Sequence, residues 1–390
     1  MKKRWIVPAL VGFCAATAGA IEVSLKDTDV RLQLYGYVKA DMVYESQATA
    51  PKMDLAFWVL PEAGGEQDSQ LRFSARETRL GLNLLGPDVG NWKSMGKVEI
   101  DFYGGGNANA YNPRIRLAFV DLAHSSGFSM RFGQDWETFV EVVPRSVNFG
   151  YLADIGALGL RRPQGRLTQE LKLSDSTKVV LKAAVAQTIG EDLDGGGYED
   201  GADADMPTLQ FNVALHQKLW TDKAARVAFS GHFGRETLDE TVSNAVVRAD
   251  ATDYDTWSAQ GSIYLPLTKC LAVQGNVWTG ENLDTYYGAI GQGVNVSKAT
   301  EIEAVGGWAQ LLYDPTDKLQ FGLGYSVDDP EDEDLNAKSR CKNEQVFANA
   351  FYKINAAVTA MAEYARMTTD YLESEDVSCD RVQLAVKYTF

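Results

Sequence analysis

VRLQLYGYVKADMVY, residues 30–44, alternates with period two along its whole length. Leu32, Leu34, Gly36, Val38, Ala40 and Met42 are apolar or small, while Arg31, Gln33, Tyr35, Tyr37, Lys39 and Asp41 are polar or aromatic. Successive side chains of a strand point to opposite faces, so this stretch is a strand with one greasy and one wet face. The final residues repeat the signature: Val382, Leu384, Val386, Tyr388 and Phe390 share one parity, Arg381, Gln383, Lys387 and Thr389 the other. Between the two it recurs at 69–85, 96–103, 113–122, 127–137, 163–173, 177–188, 207–219, 223–236, 255–266, 269–281, 300–313, 318–328, 344–354 and 357–367. That is about sixteen segments of roughly ten residues, the length a tilted strand needs to cross a bilayer.

The connections carry a second regularity. Short ones (Ala123–Ser126, Ser174–Ser176, Trp220–Asp222, Leu267–Thr268, Asp314–Asp317, Asn355–Ala356) take turns with long ones. Outer-membrane barrels sort their connections in this way, with short turns on one side and long loops on the other. A soluble sandwich also alternates along its strands, but nothing in it sorts loops by length, and it exposes edges that closure removes. The expected fold is therefore all-β: a transmembrane antiparallel β-barrel of about sixteen strands, occupying 21–390 as one domain. In the second strand Leu71, Phe73 and Ala75 are odd whereas Leu80, Leu82 and Leu84 are even, so a bulge is expected near Arg76-Glu77. Trp136, Tyr151, Trp220, Tyr254, Trp257, Tyr313 and Tyr371, near strand ends, are expected in interfacial girdles.

Residues 1–20 read as an export signal: Lys2, Lys3 and Arg4, an apolar run from Ile6 to Ala16, and Ala18-Gly19-Ala20 at the cleavage site. Beyond them the chain holds 34 basic and 53 acidic residues. Six segments expected to be exposed loops (45–68, 189–206, 237–254, 282–299, 328–343, 368–380) take 28 of the acidic and 6 of the basic ones. The acidity is thus expected at the rim, leaving a nearly neutral wall.

One long connection does not look solvated. GQDWETFVEVVPRSVNFGYLADIGALGLRRPQGR, Gly133 to Arg166, carries Val140, Val142, Val143, Phe149, Tyr151, Leu152, Ile155, Leu158 and Leu160. A connection this apolar should fold against something large, and long connections are frequently functional. Residues 138–160 are expected to fold into the lumen and narrow it. A surface loop packed on its own side chains is the plainer alternative.

Several segments resemble a known family. Tyr35-Gly36-Tyr37-Val38-Lys39-Ala40-Asp41 and Ala75-Arg76-Glu77-Thr78-Arg79-Leu80-Gly81 resemble the general porins. Glu99-Ile100-Asp101-Phe102-Tyr103-Gly104, Arg114-Ile115-Arg116-Leu117-Ala118-Phe119-Val120, and Phe132-Gly133-Gln134-Asp135-Trp136-Glu137-Thr138-Phe139 with Arg161-Arg162-Pro163-Gln164 are similar to the DcaP-like trimeric porins of Gram-negative outer membranes. Gly306-Gly307-Trp308-Ala309-Gln310, Gly322-Leu323-Gly324-Tyr325 and Asp328-Asp329-Pro330 continue the likeness, which covers nearly all of 21–390. The resemblance implies a homotrimer of sixteen-stranded barrels, a constriction loop after the fifth strand, and passive uptake of small hydrophilic solutes, carboxylates among them. Some members carry a periplasmic coiled coil ahead of the barrel. Here only Ile21–Asp29 precede the first strand, so a trimer is expected to rest on barrel walls, in contact with outer-membrane lipid and lipopolysaccharide.

Inward parity on the first six strands places Lys39, Arg72, Arg76, Arg79, Lys97, Arg114, Arg116, Arg131 and Arg166 against Asp41, Glu77, Glu99, Asp101, Asp135 and Glu137, with Arg161 and Arg162 closing the long connection. Facing ladders of opposite sign would set a transverse field across the water. Guanidinium forks suit carboxylate and phosphate, so a weak anion preference is expected. A closed structural or adhesive barrel is the alternative. No cofactor, metal or nucleic acid is expected. An enzyme is disfavoured, because His124, His216 and His232 have no recurring partner motif. The acidic segment 191–205 lacks the ordered spacing of a calcium loop. Cys341 and Cys379, near the last two long connections, are candidates for a disulfide.

Overall fold

The computed structural model describes residues 21–24, 28–62, 68–105, 110–190, 200–238, 242–243, 246–247 and 252–390; residues 1–20, where an export signal is expected, and most of the acidic segment 191–205 lie outside them. The wall begins with β1 (Arg31–Glu45) and β2, which runs in two pieces, Gln70–Ser74 and Arg79–Leu85. β3 (Trp92–Asp101), β4 (Arg114–His124), β5 (Phe128–Trp136), β6 (Arg161–Lys172), β7 (Thr177–Ala186) and β8 (Thr208–Lys218) complete one half. The other half is β9 (Ala224–Leu238), β10 (Thr252–Pro266), β11 (Leu271–Glu281), β12 (Glu303–Tyr313), β13 (Leu319–Pro330), β14 (Arg340–Lys353), β15 (Val358–Tyr371) and β16 (Val377–Thr389). Each strand pairs antiparallel with the next, and β16 returns to β1 from Tyr37↔Thr389 to Glu45↔Arg381. The cylinder is closed. β16 is followed by Phe390, which exchanges hydrogen bonds with Gly36, and the short strand Ile21–Ser24 pairs with Arg31–Leu34 below it.

The alternation does what the pattern implies. On β1, Leu34, Val38 and Tyr44 are exposed on the outside, while Lys39, Asp41, Val43 and Glu45 are buried within. The outer face is apolar all round: Phe73 (70 % exposed), Val120, Phe132, Val185, Phe229, Val277, Leu323 and Val386 all look outward. Exposed apolar area on that scale fits lipid, not water. The second strand contains its bulge: Val43 pairs with Arg72 but Tyr37 with Arg79, a shift of one residue across Ala75–Thr78.

Three expectations are corrected. The first is the rim. Residues 45–62 and 282–299, expected in exposed acidic loops, turn inward: Glu45, Asp54, Ala56 and Val59, and Leu283, Tyr286, Ala289 and Ile290, are all buried. Together with residues 137–160 they form two apolar clusters against the wall. One joins Ala56, Val59, Val142, Leu152 and Ile155 to Trp308, Phe347 and Met367. The other joins Phe139, Leu158, Leu283, Tyr286 and Ala289 to Trp278 and Ala304. The core of this barrel is thus a packed plug inside the cylinder. The second correction is the girdle, since Tyr254 and Tyr371 are buried and Trp136 and Tyr151 face the interior; Trp220 and Tyr313 are exposed as expected.

The third correction is the disulfide: Cys341 and Cys379 are both free thiols. They sit on β14 and β16 with β15 between, and strands lie about 4.8 Å apart, beyond the separation a disulfide tolerates. Cys379 is buried and its Sγ–H donates to the Gln47 carbonyl at 3.2 Å.

Candidate functional site

The connection between β5 and β6 is held to the inner wall by hydrogen bonds from almost every direction. Gln210 on β8 accepts from the Thr138 N–H at 2.8 Å, and Ser230 on β9 and Gln260 on β10 both donate to the Phe139 carbonyl. The Trp278 indole N–H on β11 donates to the Gly156 carbonyl at 2.8 Å. Asn343 on β14 donates to Asp154 O, and Asn349 to Arg145 O, each at 2.7 Å. Glu363 on β15 accepts from the Val147 N–H (2.7 Å), the Asn148 N–H (3.2 Å) and the Ser146 hydroxyl (2.9 Å). Arg145 reaches down to Asp314, in a short turn at the other end of the barrel, at 2.7 Å. An irregular backbone at this depth needs such partners, because no lipid or regular ladder can supply them.

These wall amides and Glu363 were missed by sequence reasoning, which weighed only charged inward positions. The signal was present as Gln and Asn on inward parity, among them Gln210, Gln260, Gln274, Gln310, Asn343 and Asn349.

The backbone here is strained in a localised way. Tyr151, Leu152, Asp154, Tyr287, Ala289 and Ile290 have φ between 51° and 66°. For a β-branched residue such as Ile290 that region is costly and persists only where packing over-determines it. Gly156 lies flat on the wall with φ of 116°; a Cβ there would stand 2.7 Å from the Val327 carbonyl oxygen and closer still to that of Gly307. Where the connections meet, Asp154 and Asp328 are both buried, and each leaves Oδ1 without a hydrogen-bond partner. Asp328 Oδ2 accepts from the Ile290 N–H, and Arg340 donates to Ile290 O and Gly291 O while stacking over Trp58. Burial raises the Asp154 carboxyl well above its ordinary range, and the neighbouring Asp328 adds to this, with Arg340 opposing.

The charged residues singled out in the sequence lie together on the inner surface of β1–β6, but not as facing ladders. They are zipped into pairs on neighbouring strands, because alternate inward positions of opposite charge there fall side by side. Lys39 bonds Glu77, Asp41 (3.1 Å) and Val147 O; Arg72 pairs with Glu45 and Arg76 with Asp54. Arg79 and Arg116 reach Glu99 at 3.5 and 3.0 Å, and Arg114 and Arg116 share Asp101, each at 3.0 Å. Arg131 and Arg166 share Asp135, each at 2.6 Å, while Arg162 pairs with Glu137. Lys97 stacks over Tyr35. The expected transverse field is therefore neutralised locally.

Arg161 is the exception. It opens β6 opposite Trp136, is 9 % exposed, and its Nη1 has no hydrogen-bond acceptor. Its guanidinium lies 5.2 Å from the Trp136 ring, and among the described residues no carboxylate forms an ion pair with it. It lines a cavity of about 80 Å³ beside the β5–β6 connection, lined also by Arg114, Arg116, Tyr287, Gln260 and Asn276. Tyr287 is pushed above its ordinary pKa by burial first and then by Asp154. A buried guanidinium without a counter-charge is costly.

No family model and no curated protein matches the sequence. Solved structures do match in shape. The outer membrane channel DcaP of Acinetobacter baumannii is 21 % identical, with a TM-score of 0.73 over 96 % of this chain and 100 % of that one. An anion-selective porin from Comamonas acidovorans is 14 % identical, with a TM-score of 0.59 over 93 % and 100 %. A trimer form of OmpT, an outer membrane protein of Vibrio cholerae, is 13 % identical, with a TM-score of 0.56 over 93 % and 99 %. The chain has the fold of these outer-membrane β-barrels.

Proposed function

We propose that this barrel is a porin of the DcaP-like kind. It sits in a Gram-negative outer membrane and passes small hydrophilic solutes by passive diffusion, anions in preference to cations. The observation that carries the reading is Arg161, an uncompensated cation on the passage left between the β5–β6 connection and the wall. Transport here requires no bond-making: selectivity follows from which charge a buried fork stabilises as a solute sheds water. Charges in a low-dielectric neck are screened less than those on the rim, so Arg161 outweighs the acidic loops beyond about a Debye length, roughly 8 Å at physiological salt. Residues 138–160 are the constriction. A homotrimer assembled through the apolar walls is the expected assembly, in line with the trimer form of the Vibrio cholerae protein.

A purified sample in a planar bilayer with a salt gradient tests this. The zero-current potential should show anion preference in the unsubstituted protein and lose it in Arg161→Gln; clear cation preference would overturn the reading. The packed plug favours a second reading, a closed structural or adhesive barrel. Liposome swelling separates the two, since a closed barrel gives none.

A further inference from the structure

At the long-connection end of the barrel, β9 and β11 meet around a set of oxygens that the channel reading leaves unused. Glu236, near the end of β9, is 1 % exposed. Its near polar neighbours are Asn282 and Asp284, which follow β11, and Asp200 from the acidic segment between β7 and β8. Asn282 and Asp200 are fully buried. The cation that bears on Glu236 is Arg162, which is already bonded to Glu137. Glu236 Oε1, Thr285 Oγ1 and both polar side-chain atoms of Asn282 are buried without a hydrogen-bond partner. A Cβ on Gly293 would stand 2.8 Å from Asp284 Oδ1 and closer still to Asn282 Oδ1, so both oxygens crowd the same face of that glycine. The Asn282 backbone is fixed there: its φ is 53°, its N–H donates to Ile302 O at 3.1 Å, and its carbonyl accepts from Thr256 Oγ1 at 2.7 Å.

A carboxylate buried beside other carboxylates is costly unless a positive charge joins them. Carboxylate, amide and hydroxyl oxygens, with no nitrogen or sulfur among them, are the donor set of a hard divalent cation. Among the described residues no three acidic, histidine or cysteine side chains form a metal cage by themselves, so the Asn282 and Thr285 oxygens have to make up the shell. An ion also has a way in, because Asp284 lines a cavity of about 320 Å³ shared with Asn295, Ser297 and Asn336. We propose that Glu236, Asn282 and Asp284, with Thr285 and Asp200 beside them, form a calcium site at the mouth of the barrel. Magnesium fits less well, since it asks for a near-octahedral shell and sheds water reluctantly. The ion would fasten the β11–β12 connection, which carries Tyr286 and Ala289 into the plug, to the end of β9. Binding does not depend on conduction.

The test is calorimetric titration of the full chain, refolded in detergent without lipopolysaccharide and stripped with EDTA, with calcium chloride and separately with magnesium chloride. Thermal melting is followed on the same samples. One calcium per chain should bind with a Kd of about 0.1–1 mM, as in extracellular modules, and magnesium roughly tenfold more weakly. Calcium should raise the melting temperature, and the rise should keep growing at concentrations above that Kd. Glu236→Gln, isosteric and one charge less, should remove both the calorimetric site and the calcium-dependent rise, yet melt no lower than the calcium-free parent. Asn282→Gly tolerates the left-handed backbone and should weaken calcium several-fold; it keeps the test standing if the glutamine variant fails to fold. Asp332→Asn, at an exposed acid on the β13–β14 connection, should leave binding unchanged. Calcium binding and a melting shift that survive Glu236→Gln, or equal affinity for calcium and magnesium, overturn the proposal.

Discussion

Replacing Glu363 by alanine should release the middle of the β5–β6 connection. The Glu363 carboxylate is buried on β15, has no cation beside it among the described residues, and accepts from two backbone N–H groups, a serine hydroxyl and Asn349. A hydrogen bond to a charged acceptor contributes about 1.5–3 kcal/mol net, and the lumen is wet enough for water to recover part of it. Taking the lower end for the Val147 and Asn148 N–H groups alone gives about 3 kcal/mol, or on the order of a hundredfold in the ratio of docked to undocked connection. The effect should stay local, because Val147 belongs to a small cluster with Met361, Ala385 and Phe351 and its carbonyl is tied by Lys39. In single-channel recordings the variant should show frequent excursions to higher conductance. Limited proteolysis should cut near Arg145 far faster than in the unsubstituted protein. Glu363→Gln keeps an acceptor oxygen and should show a smaller shift of the same sign. If the alanine variant conducts and resists protease as the parent does, these bonds do not hold the connection in place.

Gly156→Val should lift the same connection by a different route. The added carbons would strike wall carbonyls that cannot move, at a φ valine avoids, costing about 1–3 kcal/mol and raising the open conductance. Acidity should work through Asp154. Its carboxyl is raised in the docked state, so the docked state holds the proton more tightly. Docking is therefore fully favoured below the ordinary carboxylate range and weakens as pH climbs through the raised value. Opening events should grow more frequent at high pH, and Asp154→Asn should flatten that dependence. Cysteine chemistry should be sequential: Cys270 and Cys341 react with a bulky maleimide in the folded protein, Cys379 only after denaturation, and reductant changes neither electrophoretic mobility nor melting.

The wall was legible because a strand with lipid on one side and water on the other has to alternate, and alternation survives any choice of apolar residue. Even the bulge in β2 could be read, since one extra residue flips every later side chain. The inward β5–β6 connection could be read from its apolar content. The same content marks Leu55-Ala56-Phe57-Trp58-Val59-Leu60 and Tyr286-Tyr287-Gly288-Ala289-Ile290, yet both segments were assigned to the rim by their acids. That inference failed because Glu45 and Asp54 are acids facing arginines: Arg72, Arg381 and Arg76 pair with them inside. Charge sign along a sequence does not say which charges share a pocket. For the same reason the list of inward arginines was sound, but the one that lacks a partner could not be picked from it. Pairing is decided by strand register, and register is long-range.

A woven tube frays where its last thread stops short. β16 ends level with Gly36, and without further cover the backbone of Arg31–Tyr35 would present a bare selvedge at the seam of the cylinder. Ile21–Ser24 lies along that margin and stitches most of it down. A shortened chain lacking those four residues would still close, but with open donors and acceptors at the seam, an invitation for a neighbour's strand to be knitted in.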